Sequence, residues 1–125
     1  MAEQEMTSTG PAHKAGQLSV VSTSTGGIRV VSLAGEIDYD TGEALRRALD
    51  IVDTPRPRLV VDLRQVTFLD STGLNILITA RRDLGEAGGW LRLAAANETV
   101  MRTLRIVGID SVIDCHETLR QALAD

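Results

Sequence analysis

From Leu59 onward, short runs rich in Leu, Val and Ile alternate with stretches whose apolar residues recur every three or four positions. The runs suit strands and the stretches suit amphipathic helices. Strand–helix–strand alternation implies parallel pairing with right-handed crossovers. This constrains the fold more than any other feature of the chain. Leu59 to Leu63 (LVVDL) predicts a strand covered on both faces. Trp90 to Ala94 and Val112 to Asp114 predict two more.

Three helices separate and follow these strands. The first runs from Ser71 to about Ala87, with Leu74, Leu77, Ile78 and Arg81 at i, i+3, i+4 and i+7 and Leu84 continuing the apolar side. Gly88-Gly89 stops it, because a left-handed exit needs residues without Cβ. The second spans Asn97 to Val107, with Asn97 as cap and Val100, Leu104 and Val107 inward. The third spans Glu117 to Ala124, with Leu119, Ala122 and Leu123 on one side.

Upstream, Gln17 to Ser24 and Ile28 to Ala34 form an antiparallel hairpin across Thr25-Gly26-Gly27. Gly35 interrupts, and Glu36-Ile37-Asp38 leads out of the sheet. Asp40 or Thr41 caps a further helix carrying Leu45, Ala48, Leu49 and Val52 on one stripe. Pro55 and Pro57 end that helix. The expected architecture is a single α/β domain over residues 17–125. It has a mixed sheet, an N-terminal antiparallel hairpin and about four helices. Residues 1–16 are polar and aperiodic and read as a flexible tail.

Composition excludes several functions. Thirteen Lys and Arg against seventeen Asp and Glu give a net charge of −4, which argues against nucleic acid or an anionic membrane as partner. Tyr39, Phe68 and Trp90 are the only aromatics, too few for stacking successive bases. No stretch reaches the roughly 20 apolar residues of a membrane span, and no signal peptide is visible. Cys115 is alone, so an internal disulfide is impossible and a reducing cytoplasm is the expected setting.

Candidate chemistry concentrates in Val61 to Leu74, which passes from a strand through a loop into a helix start. Ser71 is expected as N-cap, with Asp70 assisting and Gly73 giving room. Asp62 is expected as a solvated or capping residue. A receiver-type phosphoaspartate at Asp62 would need a Lys, and the only Lys, Lys14, lies outside the domain. His13 and His116 lie away from Ser71 in sequence and have no metal-ligand spacing with Cys115, so a serine hydrolase or a metal site is poorly supported.

FLDSTGLNIL, preceded by VVDLRQV, resembles the signature of anti-sigma factor antagonists, single-domain proteins of the STAS type. GEID at Gly35 to Asp38 resembles the family's loop motif at the same place in the element order. The resemblance covers Gln17 to Asp125; Asn75 stands where the family often has Gly. It implies a STAS fold and a non-enzymatic regulator that binds an anti-sigma factor and releases a sigma factor. It implies that a serine kinase, commonly the anti-sigma factor itself, phosphorylates Ser71, with Thr72 as fallback, and that a serine phosphatase reverses this. Asp38, Asp40, Thr41, Asp70, Ser71, Thr72, Gly73 and Asn75 are then the expected partner surface. No cofactor or metal is expected; ATP and Mg²⁺ would belong to the kinase. The expected oligomeric state is a monomer or weak dimer. The alternative is a STAS subunit of a stress-signalling assembly or of a lipid or anion transport system, without phosphorylation.

Overall fold

A computed structural model describes residues 17–51 and 54–124. The expected tail 1–16 and the expected apolar position Val52 lie outside the described residues. Among the described residues the strands β1 (Leu18–Thr25), β2 (Ile28–Ile37), β3 (Arg58–Leu69), β4 (Trp90–Ala94) and β5 (Asp114–His116) form one sheet in chain order. β1 and β2 are antiparallel, and the other neighbours are parallel. Helices α1 (Gly42–Ala48), α2 (Ser71–Glu86), α3 (Glu98–Ile106) and α4 (Leu119–Leu123) complete the fold. The mixed α/β architecture is the expected one.

The core follows from strand alternation. Leu59, Val61, Leu63, Val66 and Leu69 of β3 join Val31, Leu33 and Ile37 of β2 beneath α1, α2 and α3. A smaller cluster of Ile28, Val30, Val60 and Ala94 packs against Ala122 of α4.

Several elements differ from expectation. Gly35 does not interrupt β2, which continues to Ile37. Its φ is +117°, and a Cβ there would collide with the Gln17 carbonyl. The glycine therefore makes room for β1 inside a continuing strand. β3 runs seven residues past Asp62. Ser32 pairs with Asp62 but Ala34 pairs with Gln65, so the register slips there. β4 stops opposite Asp62, and beyond it β3 pairs with β2 alone.

On α2 the buried residues are Gly73, Leu74, Ile76, Leu77, Ala80 and Leu84, whereas Ile78 and Arg81 are exposed. The buried stripe is turned toward α1, which packs beside Thr72 and Ile76. Val107 is exposed because α3 ends at Ile106 and Gly108, at φ +84°, turns the chain away. A 3₁₀ turn over Ile109–Ser111 then buries Ile109 and Ile113, leaves Val112 exposed and delays the last strand to Asp114. α4 begins after Thr118, whose hydroxyl accepts from Gln121 N while the Gln121 side chain reaches back to the Thr118 N–H.

Candidate functional site: the corner between the β2–α1 loop and the start of α2

β3 delivers Asp70 at the N-cap position of α2 in extended conformation. Its Oδ1 accepts from Thr72 N at 2.9 Å and Gly73 N at 3.4 Å. Asp70 is therefore the cap, and Ser71 is not. Ser71 is the first residue of the helix, exposed to solvent, and its hydroxyl makes no hydrogen bond among the described residues. The reason is geometric: a capping side chain must hang from a residue still outside the helix, and the extended backbone belongs to Asp70.

The β2–α1 loop closes against this start. Asp70 N donates to the Ile37 carbonyl at 3.1 Å. Gly73 is buried where a methyl would overlap Ile37 and Leu69. Gly42 faces Thr72, and a Cβ there would fall 2.9 Å from the Thr72 methyl. The two glycines thus let α1, α2 and the loop approach each other closely.

Within the loop, Asp38 Oδ1 accepts from Thr41 N at 3.1 Å. Thr41 is buried; its hydroxyl accepts from Asp38 N at 2.9 Å and donates to the Glu36 carbonyl at 2.9 Å. Thr41 occupies the N-cap position of α1 without capping it through its side chain. It ties down the loop instead. Asp40 stays exposed. Of the expected surface, Asp38, Thr41, Asp70, Ser71, Thr72 and Gly73 gather at this corner. Thr41 and Gly73 are buried structural parts of it, while Ser71, Asp40 and Asn75 are the outward ones.

A groove of about 900 Å³ opens beside the corner, between α1 and α2. Leu49, Ile76, Ala80 and Leu84 contribute its apolar lining; Tyr39, Thr72 and Asn75 line the end nearest Ser71. Tyr39 is 83% exposed. Sequence reasoning noted Tyr39 only as one of three aromatics. Its position between Asp38 and Asp40 in a polar loop was the available signal, because an aromatic there has no core to enter.

Asp62 is not solvated. It is 3% exposed within β3, with Oδ1 accepting from Arg64 N at 3.0 Å and Oδ2 lying 3.3 Å from Arg64 Nη2 and 3.5 Å from the Ser32 hydroxyl. The register slip after Asp62 brings the Arg64 N–H back onto its carboxylate, so the buried charge is paired and hydrogen-bonded. No helix among the described residues is long and apolar enough to cross a membrane. The described residues hold no cluster of three or more metal-ligating His, Cys, Asp or Glu.

The mixed sheet and the strand–loop–helix corner define a small α/β domain. Residues 19–122 match the STAS domain, and the chain belongs to that family. The anti-sigma-F factor antagonist RsfB of Mycobacterium tuberculosis is 35% identical over 98 residues, 78% of this chain and 80% of that one. The anti-sigma-B factor antagonist of Bacillus subtilis is 32% identical over 84 residues, 67% of this chain and 77% of that one. The crystal structure of an anti-sigma factor antagonist from Mycobacterium paratuberculosis superposes with a TM-score of 0.77 at 34% identity, covering 86% of this chain and 92% of that one. A murine anion transporter, Slc26a9, shares the fold alone: its TM-score is 0.69 at 14% identity, over 81% of this chain and 18% of the transporter.

Proposed function

We propose that this chain is an anti-sigma factor antagonist that works by binding. Its partner is an anti-sigma factor with serine kinase activity, docked over the corner of Asp38, Asp40, Ser71 and Asn75, and phosphorylation of Ser71 ends the complex. A serine phosphatase restores it. ATP and Mg²⁺ enter with the kinase. The setting is the cytoplasm, where sigma factors act.

One observation carries this reading: Asp70 caps α2, so the exposed Ser71 hydroxyl is free of structural duty. A kinase can take it without dismantling the helix start. Thr72 is a poorer acceptor, being half-buried with its methyl against Gly42. A phosphate on Ser71 adds about −1.5 to −2 charges next to Asp70. A docked partner would then bury an unpaired dianion, at a cost of about 2–5 kcal/mol. That corresponds to a loss of roughly thirty-fold to several-thousand-fold in affinity. The family resemblance of the sequence, and relatives named as anti-sigma factor antagonists, support the same reading.

The test is incubation with candidate anti-sigma kinases and ATP, followed by mapping of phosphate by mass spectrometry and measurement of binding. Modification at Ser71 with loss of binding is expected. Stoichiometric modification elsewhere with unchanged binding overturns the proposal.

A further inference from the structure

A second cleft lies at the other end of the sheet. It holds about 440 Å³ and is lined by Arg29, Arg56 and Arg58 together with Gly27, Pro57 and Trp90. Arg58 and Trp90 are the paired first residues of β3 and β4. Ser71, by contrast, follows the far end of the twelve-residue β3. The two places are on the order of 30 Å apart along the strand.

The charge here is sorted. The groove beside Ser71 mixes Arg46 with Asp50, Asp83 and Glu86. The arginine cleft has three guanidinium groups and no carboxylate among its described lining residues. None of the three has an ion-pair partner among the described residues. This is a chain of net charge −4, so a cleft lined by three cations and no carboxylate among the described residues runs against its overall balance.

The guanidinium groups are also positioned. Arg58 Nη2 donates to the Gly26 carbonyl at 3.3 Å and lies over Gly27, where only a hydrogen leaves it room. Arg29 Nη1 donates to the Ser22 hydroxyl at 3.4 Å. Each uses one donor on a neutral acceptor and keeps the rest of its fork. Arg56 sits between Pro55 and Pro57 at φ +48°, a conformation non-glycine residues adopt at a cost. Its stem runs past Gly88, and Gly89 is pressed so closely on the Pro57 carbonyl that a side chain could not fit. The close Pro57–Gly89 approach fixes the backbone beside Arg56, which is exposed and lines the cleft with Arg58.

We propose that this cleft binds a phosphate group, free or carried on a small organic molecule. Guanidinium forks match phosphate oxygens bidentately, and three of them around one small space suit a multiply charged oxyanion better than a single carboxylate. The site is independent of the Ser71 corner and does not depend on the function proposed for it.

Trp90 is the only tryptophan and lines the cleft, so it serves as the reporter. The full chain is titrated with inorganic phosphate and, separately, phenyl phosphate in about 0.15 M chloride, which screens loose surface binding. Saturable change in Trp90 fluorescence is expected with at least one of them. The ligand that binds more tightly identifies the source as free phosphate or an organic monoester. Arg56→Gln, an exposed position, is expected to weaken binding about tenfold. Arg58→Gln should do the same if its melting temperature shows an intact fold. Arg102→Gln on the exposed side of α3 removes the same charge elsewhere and should leave binding unchanged. No saturable change with either phosphate overturns the proposal. So does equal weakening by Arg102→Gln, or tighter binding of a hexaglutamate peptide than of both phosphates.

Discussion

Asp70 and Ser71 divide two tasks that a single serine would otherwise combine. The carboxylate satisfies the first free N–H groups of α2, and the hydroxyl beside it remains available. Asp70→Ala should therefore lower stability by about 1 kcal/mol, while Asp70→Asn, which keeps an acceptor, should lose much less. Chemical denaturation of the three proteins checks this; equal losses would mean that the cap is not what Asp70 supplies. The motif's place at a helix start was legible from residue types. Which neighbour caps was not, because Asp and Ser are equally good caps and the choice rests on where the backbone leaves the extended region. Cys115 makes a second prediction at this scale. Burial, then the charges of Asp110 and Asp114, push its thiol up from 9.0 to about 11. The folded state thus holds this proton more tightly than the unfolded one. The stability it contributes is complete below about pH 9 and is lost as pH rises through about 11. A thiol reagent at pH 8 should react far more slowly with the native than with the denatured protein.

Among the elements, α3 shows how one residue sets the position of several. Asn97 Oδ1 accepts from Val100 N at 2.9 Å, and its Nδ2 donates to the Val66 carbonyl at 2.9 Å. It caps α3 and ties that helix to the part of β3 that has outrun β4. Asn97→Asp keeps the cap and loses the donor; Asn97→Ala loses both. The expected order of stability is wild type, then Asp, then Ala, with a total span of about 1–3 kcal/mol in denaturant melts. If Asp and Ala cost the same, the tie to β3 and not the cap dominates. The cap was readable in sequence because Asn immediately precedes an apolar-periodic stretch. The tie was not, since it joins residues 31 apart in sequence. The same reason explains the misplaced ends of β3 and β5. Local apolar pattern centres the two strands on Val61 and Ile113, whereas β3 runs Arg58–Leu69 and β5 is Asp114–His116. Where each strand stops depends on a distant neighbour: β2 pairs with β3 as far as Leu69, and β5 ends at His116 opposite Ala94, the last residue of β4.

For the whole molecule, the question is whether a dianion at Ser71 would damage the fold or only its surface. α2 is sixteen residues long and buries Gly73, Leu74, Ile76, Leu77, Ala80 and Leu84. Packing of that face, more than the first turn, holds the helix. The added charge sits at its N-terminus, where the helix dipole favours negative charge by about 0.3–1 kcal/mol. The adjacent Asp70 carboxylate opposes this, so the two effects nearly cancel in the free protein. In a complex no such cancellation exists, because the partner must strip water from the phosphate, and Arg46, the cation lining the adjacent groove, is already paired with Glu43. The charged residues of the loop and the cap, Asp38, Asp40 and Asp70, are all acidic. Phosphorylation is therefore expected to leave the far-ultraviolet circular dichroism spectrum and the melting temperature almost unchanged. Affinity for the anti-sigma factor should fall at least about thirty-fold. A large loss of helix signal on phosphorylation would show that the switch acts through the fold instead. Ser71→Ala should bind like the unmodified protein and no longer respond to the kinase, which separates loss of the hydroxyl from gain of charge.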